Sequence, residues 1–269
     1  MPAAELTRLR TQINNLIARF DDPTGLRSEL RDLLDLYANR AYRAGQAVQP
    51  QPLLPSYRVA PLVIHQLEIE LGKTCQEQPE LAVDVVEALW QDPYLEPRML
   101  AAHLLGSIPA SQGAAVIQKL RAWSQPGENF RMLDVLFNDG TTTLRRSAPE
   151  LLLGLFEEWV SSTKADVQAL GIRAMIPLVQ EPAFENLPAV FRLLSPGVQS
   201  APAPIFTDLQ AALEALSRRS PTETAYFLRQ TLNMAAGSGT ARLIRRCLPL
   251  FDPTQQASLR AALQTASSA

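Results

Sequence analysis

Residues 77–109 read EQPELAVDVVEALWQDPYLEPRMLAAHLLGSIP. Leucine, valine and alanine recur here every three or four residues, which is the spacing that places apolar side chains on one face of an α-helix. Pro79, Pro93 and Pro109 interrupt this pattern. Proline is tolerated just before a helix or in its first turn, but it breaks a helix interior. The stretch therefore predicts short helices joined by tight connections, with no strand.

The same alternation of helical periodicity and breaks extends over the rest of the chain and predicts about fourteen short helices. One helix pair cannot bury its own apolar face, so neighbouring pairs must stack. We therefore predict an all-α fold, a right-handed α-solenoid of HEAT-like antiparallel helix pairs with a concave groove. A closed globular bundle is the alternative. The first apolar stripe comprises Leu6, Leu9, Ile13, Leu16, Ile17 and Phe20.

The predicted organisation is a single helical-repeat domain over residues 1–269. A connector rich in proline and glutamine spans about 45–60, and a small, polar tail from about 264–269 is expected to fray. Pro149 and Pro177 lie inside apolar-periodic stretches, where they predict a kink or an early helix end.

Composition excludes several classes of function. The formal net charge is −2, so a nucleic-acid binder of this composition has to concentrate its cations on one face. Cys75 and Cys247 form no CxxC pair and lie in apolar helical stretches, so we expect reduced core thiols, no zinc site and no cofactor. The N-terminal stretch has mixed charge, and no apolar run approaches the roughly 18 residues of a membrane span. We therefore expect a cytoplasmic protein without a membrane segment.

Three segments resemble the DNA alkylation repair family, whose members are HEAT-like repeat proteins that include alkylpurine DNA glycosylases. Residues 82–90 end in Leu89-Trp90, and residues 94–106 contain Glu96 followed by an alanine-x-x-leucine-leucine pattern. Upstream, Tyr57-Arg58-Val59-Ala60-Pro61 is similar to the tyrosine-x-valine-x-proline sequence that precedes the family's third helix. The resemblance covers roughly residues 25–235.

The resemblance implies a site for removing cationic alkylated purines. In the family, tryptophan-x-x-x-aspartate lies on one helix, an arginine lies on a later helix, and a second tryptophan follows. Here Phe130 and Asp134 stand at the first pair, and Arg173 takes the place of the arginine as a phosphate contact, with Arg131 as a second candidate. Ala211 stands where the second tryptophan is expected, so that ring is missing.

Each of these residues also has a structural interpretation. Asp134 is an ordinary solvated acid in that case, and Phe130 packs onto the core as a hydrophobic staple at a helix start. Arg173 then forms an ion pair with Asp166 or Glu158. The three tryptophans, Trp90, Trp123 and Trp159, are expected to be buried between helices.

The remaining polar motifs are less specific. Three arginine pairs either form a phosphate track or interact with the C-terminal ends of helices, and acids such as Asp208 dilute any track. The pairs are Arg145-Arg146, Arg218-Arg219 and Arg245-Arg246. Both histidines lie in apolar helical stretches, which gives no serine–histidine–aspartate arrangement, and His65 is expected to be packed or to cap a helix.

Two functions stay open at this stage. The favoured hypothesis is a non-catalytic scaffold that binds duplex DNA or a protein ligand in its concave groove. The alternative is an enzyme, a DNA glycosylase that releases N3- or N7-alkylated purines, with Asp134 stabilising the charge that develops on the sugar. A positive surface around Arg131 and Arg173 favours DNA, and a neutral or acidic one favours a protein.

Overall fold

The computed structural model describes residues 3–38, 54–234 and 237–268. Within these ranges the regular elements are helices and there is no strand, which confirms the all-α prediction. The α-helices of the described ranges are α1 (Ala3–Ile17), α2 (Pro23–Leu36), α3 (Pro61–Glu77), α4 (Pro79–Trp90), α5 (Leu95–Leu105), α6 (Gly113–Trp123), α7 (Phe130–Asn138), α8 (Thr142–Ser147), α9 (Pro149–Val160), α10 (Ala165–Gln180), α11 (Leu187–Ser200), α12 (Phe206–Arg219), α13 (Pro221–Met234), α14 (Ser238–Cys247) and α15 (Pro253–Ser268).

Proline marks many of the helix starts, as its fixed φ and missing N–H favour. It is the first residue of α2, α3, α4 and α9, among others. The sequence predicts a kink or a helix end at Pro149, and the structure has a helix boundary there: α8 ends at Ser147 and α9 begins at Pro149. Pro177 lies inside α10, which continues to Gln180. Side chains cap other starts: Asp22 accepts a hydrogen bond from the backbone N–H of Gly25.

The chain divides into two compact units, residues 1–147 and 148–269. In the first unit the helices form two rows. Successive contacts join α1, α3, α5 and α7 in one row and α2, α4 and α6 in the other, while α4 and α5 pack against each other between the rows. The core of this unit is aliphatic and includes Leu67, Leu71, Val85, Leu89, Leu100, Leu104 and Leu136.

The second unit repeats the two-row arrangement. Contacts join α9, α11, α13 and α15 in one row and α10, α12 and α14 in the other, with α9 packed closely on α10. Its core includes Phe156, Ile172, Met175, Leu178, Val190, Leu209, Leu213 and Leu216. The single-domain organisation over residues 1–269 stays a prediction.

One backbone contact in the first unit leaves no room for a side chain. Gly106 follows the last residue of α5, and a Cβ atom built there would lie 1.8 Å from the carbonyl oxygen of Asp139, at the end of α7. The contact also includes Thr143, whose N–H donates to the Gly106 carbonyl at 3.1 Å. Glycine at 106 therefore sets how closely α5 approaches the end of α7.

Glu96, the glutamate of the family-like segment, has a structural role. Its carboxylate is buried and accepts hydrogen bonds from the Ser56 hydroxyl at 2.6 Å and from the N–H groups of Tyr57 at 3.1 Å and Arg58 at 2.7 Å. Leu95 adds a backbone hydrogen bond to the Pro55 carbonyl at 2.9 Å. The start of α5 thus holds the segment that leads into α3.

Residues 45–53 of the predicted connector lie outside the described residues. At the other end, α15 continues to Ser268, so helical backbone extends into the segment for which fraying is predicted. Cys75 and Cys247 are buried free thiols, as predicted, and burial raises the pKa of both to about 12.

Within the described ranges no single helix has the length and apolar character to cross a membrane. The pair Leu95–Leu105 and Ala110–Trp123 meets the criteria of length and composition only when the two are taken together across a bend of 103°.

Candidate functional site

The helix α7 carries three of the four predicted site residues. Its buried face consists of Met132, Leu133, Leu136 and Phe137, and this leaves Phe130, Arg131 and Asp134 on the exposed side. Asn129 caps the helix by accepting a hydrogen bond from the N–H of Arg131 at 2.9 Å. The cap and the apolar stripe together place an aromatic ring and a carboxylate one turn apart at the surface.

Phe130 is not a core residue. It exposes 62% of its surface, which is among the highest values for a large apolar residue in the described part of the chain. The interpretation as a hydrophobic staple is therefore wrong. A staple has to cover apolar atoms of the helix, whereas this ring lies largely in solvent.

Asp134 is exposed, and its surroundings are polar. Its Oδ1 atom accepts a hydrogen bond from the Asn138 amide at 3.2 Å, and the same amide donates to the Asp134 carbonyl at 2.8 Å. A charge pair 4 Å apart is worth about 1 kcal/mol in water and about 4 kcal/mol at an effective dielectric of 20. In this structure, the Asp134 carboxylate stands at the weak end of that range.

Glu68 and His103 lie near Asp134, because all three act on the carboxyl of Asp139. Glu68 on α3 lies 3.6 Å from His65 and 4.0 Å from His103, measured between a carboxylate oxygen and Nδ1 in each case. The His65 side chain is 63% exposed, so the expectation of a packed histidine is wrong. The sequence did not single out Glu68, because its partners come from different turns and helices.

The charges on this surface influence the pKa of Asp139, which lies just after α7. Burial raises the pKa of its carboxyl above the ordinary value, and the negative charges of Glu68 and Asp134 act in the same direction, while His103 and Arg145 oppose them. The surface formed by α3, α5 and α7 therefore holds three carboxylates close enough to influence one another. We call Glu68, Asp134 and Asp139 the acidic surface.

This pKa shift predicts a pH effect on stability. Because the folded chain holds the Asp139 proton more tightly than the unfolded chain, stability is expected to fall as pH rises from the carboxyl's ordinary pKa to its raised folded value. Asp139→Asn has no carboxyl to ionise and does not lose this stability. The free energy of unfolding of the variant, relative to that of wild type, should therefore be greater at pH values above the raised pKa than at pH values below the ordinary one. Urea unfolding across a pH series measures the difference, and parallel profiles for the two proteins would contradict the assignment.

Arg173, the fourth site residue, lies in the second unit and is already paired with a carboxylate. Its Nε and Nη2 atoms donate to Oδ1 of Asp208 on α12, at 3.2 and 2.8 Å. Both side chains are partly buried, with 26% and 14% of their surfaces exposed. Asp208 was predicted from the sequence to weaken a phosphate track, and in the structure it contacts Arg173 directly.

Two members of the arginine pairs bind carbonyl groups. Arg145 donates to the carbonyls of Phe137 and Asn138, at the C-terminal end of α7, at 3.1 and 2.6 Å. Arg219 donates to the Pro182 carbonyl at 2.8 Å. For Arg145 this favours the interaction with a helix end over the phosphate track, since a guanidinium near the last carbonyls is stabilised by the helix dipole.

The position of the missing ring is occupied by Ala211, which is half-buried on α12 between the buried residues Leu209 and Leu213. The aromatic residue on α12 is Phe206, and the Arg242 guanidinium covers its ring at 4.5 Å from the centroid. One face of the aromatic ring on this helix is therefore covered by an arginine.

All three tryptophans are buried, as predicted. Trp90 and Trp123 stack with ring centroids 4.4 Å apart, and the Arg98 guanidinium lies 4.4 Å from the Trp90 ring. The Trp123 indole N–H donates to Glu87 at 3.2 Å. These rings hold α4, α5 and α6 together and present no face to a ligand.

The stacked helix pairs, the segments around Glu96 and the exposed Phe130–Asp134 pair define a helical protein built like the family that the sequence resembles. The family model of the DNA alkylation repair enzyme matches residues 63–246. The chain belongs to this family.

Among solved structures, the chain is similar to the crystal structure of smu.31 from Streptococcus mutans UA159. The two are 15% identical, with a TM-score of 0.49, over 71% of this chain and 98% of that chain. No curated protein matches the chain in sequence.

Proposed function

We propose that this chain is a non-catalytic member of the DNA alkylation repair family, a HEAT-like solenoid scaffold that binds a protein ligand. The observation that carries the proposal is the pairing of Arg173 with Asp208. At the position where the resemblance requires a phosphate contact, the chain supplies its own anion. A DNA phosphate has to displace that carboxylate and break two hydrogen bonds, each strengthened by charge.

The acidic surface supports a protein ligand over DNA. Duplex DNA carries a phosphate charge about every 1.7 Å of its axis, and binding it requires lysine and arginine in excess. Around α7, Arg131 and Arg145 stand against Glu68, Asp134 and Asp139, and Arg145 already donates to the carbonyls at the end of the helix. Such a surface repels phosphate and attracts the basic side chains of a protein.

Phe130 suits the same role, because exposed aromatic residues often dominate the binding energy of protein interfaces. The proposed ligand is a protein segment that places an apolar group on Phe130 and basic groups against the acidic surface. This function does not require a flipped base to be enclosed between an aromatic face and a shielded carboxylate.

Photocrosslinking tests the protein ligand. With benzoylphenylalanine in place of Phe130, we expect crosslinks to a discrete protein that are lost when Asp134→Lys is added. The same group in place of Leu81, an exposed leucine on α4, is the matched control and should not crosslink to that protein. Crosslinks that persist in Asp134→Lys would contradict the charge complementarity.

DNA binding is the second measurement. We expect fluorescence anisotropy with a plain duplex to show only weak binding, with a shallow dependence on salt concentration. Tight binding with a slope that corresponds to several released counterions would overturn the protein-ligand proposal.

The alternative is an alkylpurine glycosylase, which is favoured by the exposure of Phe130 and Asp134 one turn apart on α7. Incubation of a duplex containing N7-methylguanine distinguishes the two proposals. We expect no base release above the spontaneous rate. Release that disappears in Asp134→Asn, but persists in a control variant of another exposed acid, Asp84→Asn, would establish the enzyme instead.

A further inference from the structure

The second unit contains a cavity of about 410 Å³ that the proposed function does not use. Its walls come from the end of α9, the start of α10, the C-terminal half of α11 and the residues that lead into α12. All of its lining residues lie within this unit. The volume falls in the range of about 300–1,000 Å³ that is typical of small-molecule sites.

The cavity lining combines apolar side chains with polar ones such as Ser161 and Gln168. Val160, Ile172, Leu193 and Leu209 are among the side chains that line it. These four come from four different helices, α9 to α12, so each of the helices contributes an apolar side chain to the lining. An apolar group of a ligand is stabilised where it removes its surface from water against these side chains.

Two side chains of opposite charge line the same cavity. Glu157 comes from α9 and Arg192 from α11. Within the described ranges neither side chain has a hydrogen-bond or ion-pair partner. Both charged groups are therefore available to a ligand. A ligand does not have to displace a protein partner from either of them, whereas at Arg173 it has to displace Asp208.

The wall around Arg192 is held in a defined shape. Pro196 lies inside α11, one turn after Arg192, and cannot donate the usual helical hydrogen bond to the Arg192 carbonyl. After Ser200 the chain turns through Ala201, a non-glycine residue with φ of 38°. The N-terminus of α14 packs on this turn, since the Thr240 hydroxyl donates to the Gln199 carbonyl at 2.6 Å.

This turn leaves little room for movement. A Cβ atom at Gly239 would lie 2.7 Å from the Ser200 carbonyl oxygen and 2.8 Å from that of Ala201. Residues in uncommon backbone conformations persist only where their surroundings hold them, and they cluster at ligand sites. A wall that is rigid before binding lowers the entropic cost of binding.

We propose that this cavity binds a small zwitterion with an apolar body, namely an apolar amino acid or a dipeptide of apolar residues. The ligand's ammonium group pairs with Glu157, its carboxylate pairs with Arg192, and its side chains contact the apolar part of the lining. The Arg192 guanidinium is suited to this task because its planar array of donors matches a carboxylate with two parallel hydrogen bonds.

Isothermal titration with the dipeptide leucyl-leucine tests the proposal. We expect saturable one-to-one binding to the wild-type chain. N-acetyl-leucyl-leucine lacks the ammonium group and leucyl-leucinamide lacks the carboxylate, and each should bind at least about tenfold more weakly, as expected for the loss of one charged hydrogen-bonded contact.

Variants assign each charge to one end of the ligand. Arg192→Gln should weaken the binding of leucyl-leucine by about the same factor that separates leucyl-leucine from leucyl-leucinamide in the wild-type chain. The affinity for leucyl-leucinamide itself should hardly change in this variant. Glu157→Gln should weaken the binding of leucyl-leucine by about the factor that N-acetylation does, and it should hardly change the affinity for N-acetyl-leucyl-leucine. Arg246→Gln and Glu185→Gln, which change exposed residues outside the cavity, are matched controls and should bind as wild type does.

Three results would overturn the proposal: no saturable heat with millimolar leucyl-leucine or free leucine, equal affinity for the blocked and unblocked peptides, or equal affinity of the Arg192→Gln and wild-type chains. Both cavity variants change exposed side chains, and matching far-ultraviolet circular dichroism checks that they fold. Because the two proposals rest on different residues, those of the cavity and those of α7, failure of one leaves the other untouched.

Discussion

Gly106→Ala is expected to lower the free energy of unfolding by about 3 kcal/mol or more, one of the two largest effects of a single substitution in this chain. The new Cβ atom would lie 1.8 Å from the Asp139 carbonyl oxygen and 2.9 Å from the Asp139 carbonyl carbon. Both are backbone atoms, so no side-chain rotation relieves the collision. The end of α7 has to move away from α5, and the packing between them is lost. Urea unfolding followed by circular dichroism measures the change.

Gly154→Ala is the matched control. Gly154 lies in the interior of α9 and is exposed, and a Cβ atom built there meets nothing within 4 Å. Alanine favours the helix by roughly 0.5–1 kcal/mol over glycine, so this variant should be more stable than wild type. The prediction fails if the two variants change stability in the same direction.

Arg31→Ala is expected to destabilise the fold by about 3 kcal/mol. Arg31 donates through Nε to Oδ2 of Asp92 at 2.6 Å, and the Asp92 side chain has no exposed surface. The other carboxylate oxygen accepts from the Tyr94 N–H at 2.9 Å. Removing the arginine leaves a buried carboxylate without its cation, and such a charge is far more costly than a solvated one. Chemical denaturation gives the free energy.

Two further variants separate the buried charge from general loss of packing. The double variant Arg31→Ala with Asp92→Ala should be less destabilised than the sum of the two single variants, because it leaves no unpaired charge. Arg19→Ala breaks the pair of Arg19 with Glu29, whose side chains are 54% and 34% exposed, and should cost less than about 1 kcal/mol. Equal losses in Arg19→Ala and Arg31→Ala would show that burial of Asp92 does not govern the result.

Much of the helical framework was predictable. Apolar periodicity and proline are local features, so the boundary at Pro149, the buried tryptophans and the buried thiols all followed from short windows of sequence. Glu96 was recognised as part of a motif, but its role was not. Its three donors come from residues 56–58, about forty positions away, and only folding brings them to the carboxylate.

The candidate site was predicted less completely. The positions of Phe130 and Asp134 on one helix face followed from their spacing, but the exposure of the ring did not. Whether a first-turn aromatic packs inward depends on neighbouring helices, and the sequence favoured the wrong alternative for Phe130. The hydrogen bonds of Arg173 to Asp208 were not predicted, because Asp208 lies 35 residues later on another helix.

The sequence alone determined that the chain is all-helical, where many of its helices begin, and which family it resembles, because each of these depends on side chains within a few turns of one another. The tertiary structure decided which charges are paired and which are free. It placed Asp208 on Arg173 and gathered three carboxylates near α7. Among the residues that the structure describes, it left Glu157 and Arg192 without a hydrogen-bond or ion-pair partner beside a cavity. Such pairings depend on the packing of helices that are distant in the chain, and distances of a few ångströms between them determine the strength of a charge interaction.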